Sequence, residues 1–320
     1  MSDIEESQLA ETLASALVCP RTHQPLQARG GALVCDGGSY FRGTDGYFDF
    51  TLESAFYDME STSEEYAVEQ QESWRRFYGE FLKPWVVREN ARRVLEVGCG
   101  MGMGIRFLAE DGFNAFGLDI PCLARFWARN GNDPRNFITG DGACMPFPDG
   151  YFDAVYTLGT IEHIGTKVGH YTLNDNYWDT RRAFAREMLR VTKPGGRLLV
   201  TCPNKHFPID IHHEPTDDAT PPGTARLRRY IFDRFGMNVH RPFGKYHLFS
   251  FGELRRLFCS MNNAKSVTPL PLKYYFAFKR TGSLGLLRLI KTPIIAYIEN
   301  MPSAIARSFL NPFLVVEVRK

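Results

Sequence analysis

The residues best able to do chemistry are acids and glycines set at the ends of short apolar runs. VLEVGCGMGMG, residues 94–104, puts Glu96 two positions ahead of Gly98 and places Gly98, Gly100, Gly102 and Gly104 alternately, with Cys99 among them. Asp119-Ile120 closes the next apolar run, and Asp141-Gly142-Ala143 follows the one after. A glycine turn between a strand and a helix lets backbone approach a ligand closely, because no Cβ intervenes. Such a turn serves either a dinucleotide or S-adenosylmethionine. A carboxylate at Glu96 suits a ligand carrying an ammonium and a sulfonium and suits a pyrophosphate poorly. Asp119 is placed to accept from both ribose hydroxyls. Asp141 can accept from an adenine amine, with a backbone N–H from Gly142-Ala143 beside it.

Acceptor chemistry has its own candidates. His163, in TIEHIG (160–165), is the expected general base, since an imidazole titrates near neutral pH. Glu162 could orient it, meet the ligand or shape the loop. Tyr171, Tyr177 and Trp178 are expected to wall the pocket. PNKHFPIDIHHEP (203–215) adds His206, Asp210, His212, His213 and Glu214. A divalent metal on Asp210, His213 and Glu214 could chelate a diol, but the spacing matches no established metal motif. The expectation is a lid loop with surface histidines and no metal, with His206, His212 and His213 on the substrate side.

These residues need elements to hold them, and the chain alternates accordingly. RVLEV is a strand, Gly104–Asp111 a helix, and AFGL a strand ending at Asp119. A helix over 121–130 follows, starting at Pro121, where a missing N–H costs nothing. NFIT and FDAVYTLG are strands, 179–192 a helix, RLLVTCP a strand, 250–258 a helix with Ser250 and Glu253 in capping-box spacing, and PFLVVEVRK a last strand. Strands alternating with helices imply a mostly parallel sheet with helices on both faces. Residues 1–55 read as small strands (ALVC, GALVC, YFRG, DGYFDF), 56–90 as an aromatic-rich helical cap, and 204–249 as a stretch of little regular pattern.

RVLEVGCGMG, GLDI, GDGACMPFPDGYFDAVYT, IEHI and EMLRVTKPGGRLLVTCPN together resemble the class I S-adenosylmethionine-dependent methyltransferases of the small-molecule type. The resemblance covers about 92–204 and touches 246–259. It implies an α/β, Rossmann-like, seven-stranded, mostly parallel sheet, with a domain over 91–320 carrying insertions at 165–178 and 204–249. It implies S-adenosyl-L-methionine as cofactor, its methionine part at Glu96, Gly98, Cys99, Gly100 and Gly102, its ribose at Asp119-Ile120, and its adenine at Asp141, Gly142 and Ala143. Gly104 reads as a helix-start residue packed closely on the sheet. The segment 1–55 resembles a zinc-ribbon-like domain in which Thr22 and Gly38 replace two of four cysteines. A structural zinc needs four ligands, so a degenerate, metal-free ribbon is expected, even with His23 nearby.

The composition narrows the class. The 320 residues carry a net charge of only +2, but 1–72 hold 14 acidic and 3 basic side chains, whereas 181–320 hold 9 acidic and 24 basic. A basic half could meet an acidic or lipid-linked substrate, or a membrane surface. Nucleic acid is not expected, because no aromatic platform or Arg/Gly-rich stretch appears. Seven irregularly spaced cysteines fit reduced thiols in a cytoplasmic protein, and the acidic start MSDIEESQLAETL is no secretory signal. The segment 272–312 pairs apolar residues with Lys279, Arg280, Arg288, Lys291 and Arg307. It suits peripheral membrane contact or a homodimer surface. The expectation is methyl transfer to a hydroxyl of a small, saccharide or lipid-linked acceptor. The alternative is a catalytically silent methyltransferase-fold module.

Overall fold

In the computed structural model, residues 3–52, 74–88, 90–167, 172–215, 223–273, 275–276, 293 and 295–320 are described. Their strands, in chain order, are β1 (Gln27–Arg29), β2 (Ala32–Cys35), β3 (Gly38–Tyr40), β4 (Arg93–Val97), β5 (Asn114–Asp119) and β6 (Phe137–Thr139). Then come β7 (Phe152–Leu158), β8 (Thr192–Pro203), β9 (Ile209–Asp210), β10 (Asn238–Val239), β11 (Ser266–Pro269) and β12 (Phe313–Arg319).

Seven of these form one sheet in the order β11-β12-β8-β7-β4-β5-β6. β4 pairs in parallel with β5 and β7, and β5 with β6, whereas β11 runs antiparallel to β12. β4 and β5 are buried along nearly their whole length, the pattern of strands covered on both faces. The helix Met103–Glu110 follows β4 directly and packs on β4 and β5. The Rossmann-like α/β arrangement expected from the sequence is the one observed.

The described chain forms two compact units. The first is Met1–Thr157 with Ala183–Leu198 and Lys320, and the second Leu158–Arg182 with Leu199–Arg319. Within the first unit, the N-terminal segment pairs at the sheet edge. Phe50 N–H donates to Thr139 O at 2.8 Å, Thr139 N–H donates to Phe48 O at 3.0 Å, and the Thr139 hydroxyl donates to Asp49 Oδ1 at 2.9 Å. The N-terminal segment thereby covers the open edge of β6, satisfying groups that an edge strand leaves exposed. Tyr47 adds a hydrogen bond from its hydroxyl to Asn132 O at 2.8 Å.

Two local expectations change. A helix, Asp3–Ala14, occupies the acidic N-terminus, and ALVC (16–19) contributes only a bridge from Val18 to Pro25. That helix lacks a strong apolar stripe, so periodicity did not announce it. The stretch 204–249 holds a helix, Ala225–Phe235, ended by Gly236 in the left-handed region, and the β9–β10 pair. At the ribbon, a Cβ on Gly37 would lie 2.7 Å from Cys19 Sγ and 3.5 Å from Cys35 Sγ, while His23 is exposed. The expected capping box at Ser250 and Glu253 is present, on the helix Phe251–Arg255.

Candidate active site

The glycine loop is built from the strand ends upward. Gly98 N–H donates to Leu118 O at 2.8 Å, which fixes the chain leaving β4 against β5. Gly98, Gly100 and Gly102 all take positive φ (78°, 51° and 75°), and Gly102 caps the helix Met103–Glu110. A Cβ on Gly102 would lie 2.4 Å from the Phe137 ring and 2.8 Å from Asn132 Nδ2, so backbone strain and lack of space both demand glycine. Two side chains fasten the loop from outside its sequence. Trp127 Nε1 donates to Gly100 O at 2.7 Å, and Asn132 Nδ2 donates to Met101 O at 3.3 Å. Neither was foreseen, since a helical Trp and a loop Asn look ordinary in sequence. At Gly104, a Cβ would come within 2.6 Å of the Tyr156 hydroxyl and 2.9 Å of Glu96 Oε2, which is the close packing expected there.

Asp119 is the junction of this site. Its Oδ2 accepts from Gly100 N–H at 2.7 Å and its Oδ1 from Ile120 N–H at 2.8 Å. Each oxygen keeps lone-pair capacity for a ligand hydroxyl. Burial pushes the carboxyl up to about 6, against those two N–H bonds. Glu96 is 1 % exposed and accepts the Tyr156 hydroxyl on Oε2 at 3.0 Å. Burial, with the nearby Asp119 charge, holds its carboxyl well above the usual range despite the Tyr156 bond. Cys99 is likewise buried, its sulfur pressed toward Gly117. Asp141 is half-buried after β6, but its Oδ1 takes the Ala143 N–H at 2.7 Å, the donor expected for adenine. Gly142 leaves no room for a Cβ against Phe184 and Val97.

The second unit gathers a different chemistry. His163 is half-buried on a short 3₁₀ turn, Ile161–His163, five residues beyond the end of β7. Its ring centroid lies 5.1 Å from that of His213, and His213 lies 4.8 Å from His247. Ligand atoms of Glu162, His163 and His213 fall within 4.8 Å of one another, as do those of Asp210, His213 and His247. Asp210 Oδ2 bonds His213 Nδ1 at 2.8 Å. Burial opposes the His213 imidazolium, but the Asp210 bond and charge, with the Glu162 charge, raise it above its ordinary value. Burial pushes the Glu162 carboxyl up to about 7, and its Oε2 meets no hydrogen-bond partner among the described residues. Burial first, then the cationic forms of His213 and His163, hold His247 well below its ordinary value. Arg181 fixes this group by donating to Ile164 O at 3.0 Å, Glu162 O at 3.1 Å and His247 O at 2.5 Å.

Several expected acceptor-side residues lie apart from that group. Glu214 is exposed and pairs with Arg229 at 3.1 Å, so it does not join Asp210 and His213. His212 is exposed beside Phe313, His206 packs on Phe243, and Trp178 packs on Phe249. Tyr171 lies outside the described residues, as do residues 277–292 of the amphipathic segment. The buried positions of His213 and Asp210 replace the expected surface lid. Sequence reasoning missed His247 and Arg181 because nothing local marks them.

The parallel sheet, the glycine loop after its first long strand and the acid closing the next are the arrangement that the resemblance to class I S-adenosylmethionine-dependent methyltransferases implies. Residues 95–200 match the family described as a methyltransferase domain. A 2-methyl-6-phytyl-1,4-hydroquinone methyltransferase of Synechocystis is 34% identical over 130 residues, 38% of this chain and 36% of that one. A demethylmenaquinone methyltransferase of Renibacterium salmoninarum is 30% identical over 144 residues, 45% of this chain and 52% of that one. The chain thus spans about a third to a half of the length of these curated relatives. Among solved structures, a Haemonchus contortus phosphoethanolamine N-methyltransferase 2 in complex with S-adenosyl-L-methionine aligns with a TM-score of 0.42 at 17% identity, over 77% of this chain and 52% of that one.

Proposed function

We propose that this protein transfers a methyl group from S-adenosylmethionine to a hydroxyl of a small, lipophilic acceptor. The observation that carries the reading is Asp119, tied by Gly100 N–H to the glycine loop and retaining acceptor capacity for the ribose. In this reading the acceptor oxygen attacks the methyl carbon in line with the sulfur. The C–S bond breaks, and the sulfonium leaves as neutral S-adenosylhomocysteine. The acceptor's proton must be lost along the way, and an imidazole, His163 in the sequence reading, is suited to take it. Glu162 and His213 stand beside it, the ligand atoms of the three lying within 4.8 Å of one another. The phytyl-hydroquinone and demethylmenaquinone methyltransferases among the relatives support a lipophilic acceptor.

The test is turnover. Purified protein, methyl-labelled S-adenosylmethionine and a panel of prenylated quinols, phenols and glycolipids should give labelled product and S-adenosylhomocysteine. Asp119→Ala should lower S-adenosylhomocysteine affinity at least about tenfold, the loss of one charge-assisted hydrogen bond. Unchanged affinity would remove the site assignment. Intact binding with no turnover on any acceptor would favour a silent binding module.

A further inference from the structure

We infer that Glu162, His163 and His213 form a binding site for a divalent transition-metal cation, with Asp210 orienting His213 from behind. Two imidazoles and one carboxylate suit Mn²⁺, Fe²⁺ or Zn²⁺, and suit Mg²⁺ poorly, which prefers oxygen and water. Ligand atoms of the three residues already lie within 4.8 Å of one another. Two atoms each about 2.2 Å from one ion are at most about 4.4 Å apart, so side-chain shifts of about 1 Å close the set around a cation. Glu162 is 1 % exposed, and its Oε2 has no hydrogen-bond partner among the described residues. A buried carboxylate oxygen left so is costly unless something positive meets it.

The strongest support is behind the ligands. His213 Nδ1 bonds Asp210 Oδ2 at 2.8 Å, and Asp210 is 2 % exposed. A carboxylate holding one imidazole nitrogen so that the other can ligate is the recurrent support of metal-bound histidine. Arg181 holds the Glu162 carbonyl, which fixes the backbone of the carboxylate ligand. His163 is only half-buried, so the set is not sealed on its side. Three protein ligands leave positions open on the ion, as in catalytic rather than structural sites. Resting on the methyl-transfer reading, those positions take the acceptor's hydroxyl oxygen, and bonding to the cation eases loss of its proton to water. Binding of the cation itself does not depend on that reading.

The test uses the full chain, stripped of metal by chelation and titrated with Mn²⁺ by calorimetry and electron paramagnetic resonance. Mn²⁺ is the probe because the thiols Cys19 and Cys35 would compete for Zn²⁺. One ion per chain should bind, with a rise in unfolding midpoint. Glu162→Gln and the less buried His163→Gln should weaken binding at least about tenfold, and Asp210→Asn by about 10–100-fold. S-adenosylhomocysteine affinity, read on the same samples, reports the fold and the donor site separately. Absence of Mn²⁺ binding by the wild-type chain, or Mn²⁺ affinity unchanged in both glutamine variants, overturns the cation site and leaves the donor-site reading standing. Saturable Mn²⁺ binding without S-adenosylhomocysteine binding would do the reverse.

Discussion

Asp119 makes a prediction whose two halves have opposite signs. Its carboxyl sits near 6 in the empty site, raised by burial from an ordinary 3.8. A raised carboxyl favours the protonated folded state. Its stabilisation is therefore complete below the unfolded value and is lost as pH rises through about 6. The two-unit gap corresponds to about 3 kcal/mol by linkage. Ligand binding reverses the preference, because ribose hydroxyls donate to the ionised form. S-adenosylhomocysteine affinity should therefore rise about tenfold per pH unit up to about 6 and level off above about 7. Asp119→Asn removes the charge and leaves one of the two N–H donors, from Gly100 or Ile120, facing an amide N–H. The first effect stabilises the empty protein by about 3 kcal/mol and the second costs about 1–3 kcal/mol. At about pH 8 the empty variant should unfold no earlier than wild type, yet bind at least about tenfold more weakly with a flat pH profile. Calorimetric titration between about pH 5 and 8 with parallel thermal melts measures both. A flat wild-type profile, or an Asn variant with wild-type affinity, would refute the reasoning.

Gly102→Ala should cost about 2–5 kcal/mol, adding left-handed backbone strain to overlap with Phe137 and Asn132, and thermal melts should fall by about 5–15 °C. Gly112→Ala, also at positive φ (81°) but with no atom within 4 Å, should lose only about 1–2 kcal/mol, so equal losses would deny the packing contribution. Arg181→Met should cost about 2–4 kcal/mol in urea unfolding, because it strips the donors from the Glu162, Ile164 and His247 carbonyls; a loss under about 1 kcal/mol would show that other donors replace them.

What was legible in the sequence is local. Positive φ at Gly98, Gly100 and Gly102 is a demand of single residues, and glycine answers it visibly. Acids closing β5 and following β6 are fixed by strand length, so Asp119 and Asp141 fell where expected. The N-terminal helix stayed hidden because its apolar residues form no clear stripe, and tertiary packing sets it. The burial of Glu96 was not legible in the sequence. Alternation says that a strand residue points to one face, but Tyr156 on the neighbouring strand decides that this face is sealed.

By itself the sequence determined the glycine loop, its strands and the acids that close them, all set within short spans by backbone geometry. Only the tertiary structure decided the histidine–carboxylate cluster. Glu162, His163, Asp210, His213 and His247 come from three separated segments, and no spacing rule links them. Burial, the Asp210–His213 bond and the Arg181 clamp bring their side chains together. Those are long-range contacts, paid for by the packing of the whole unit, and a linear pattern carries no record of them.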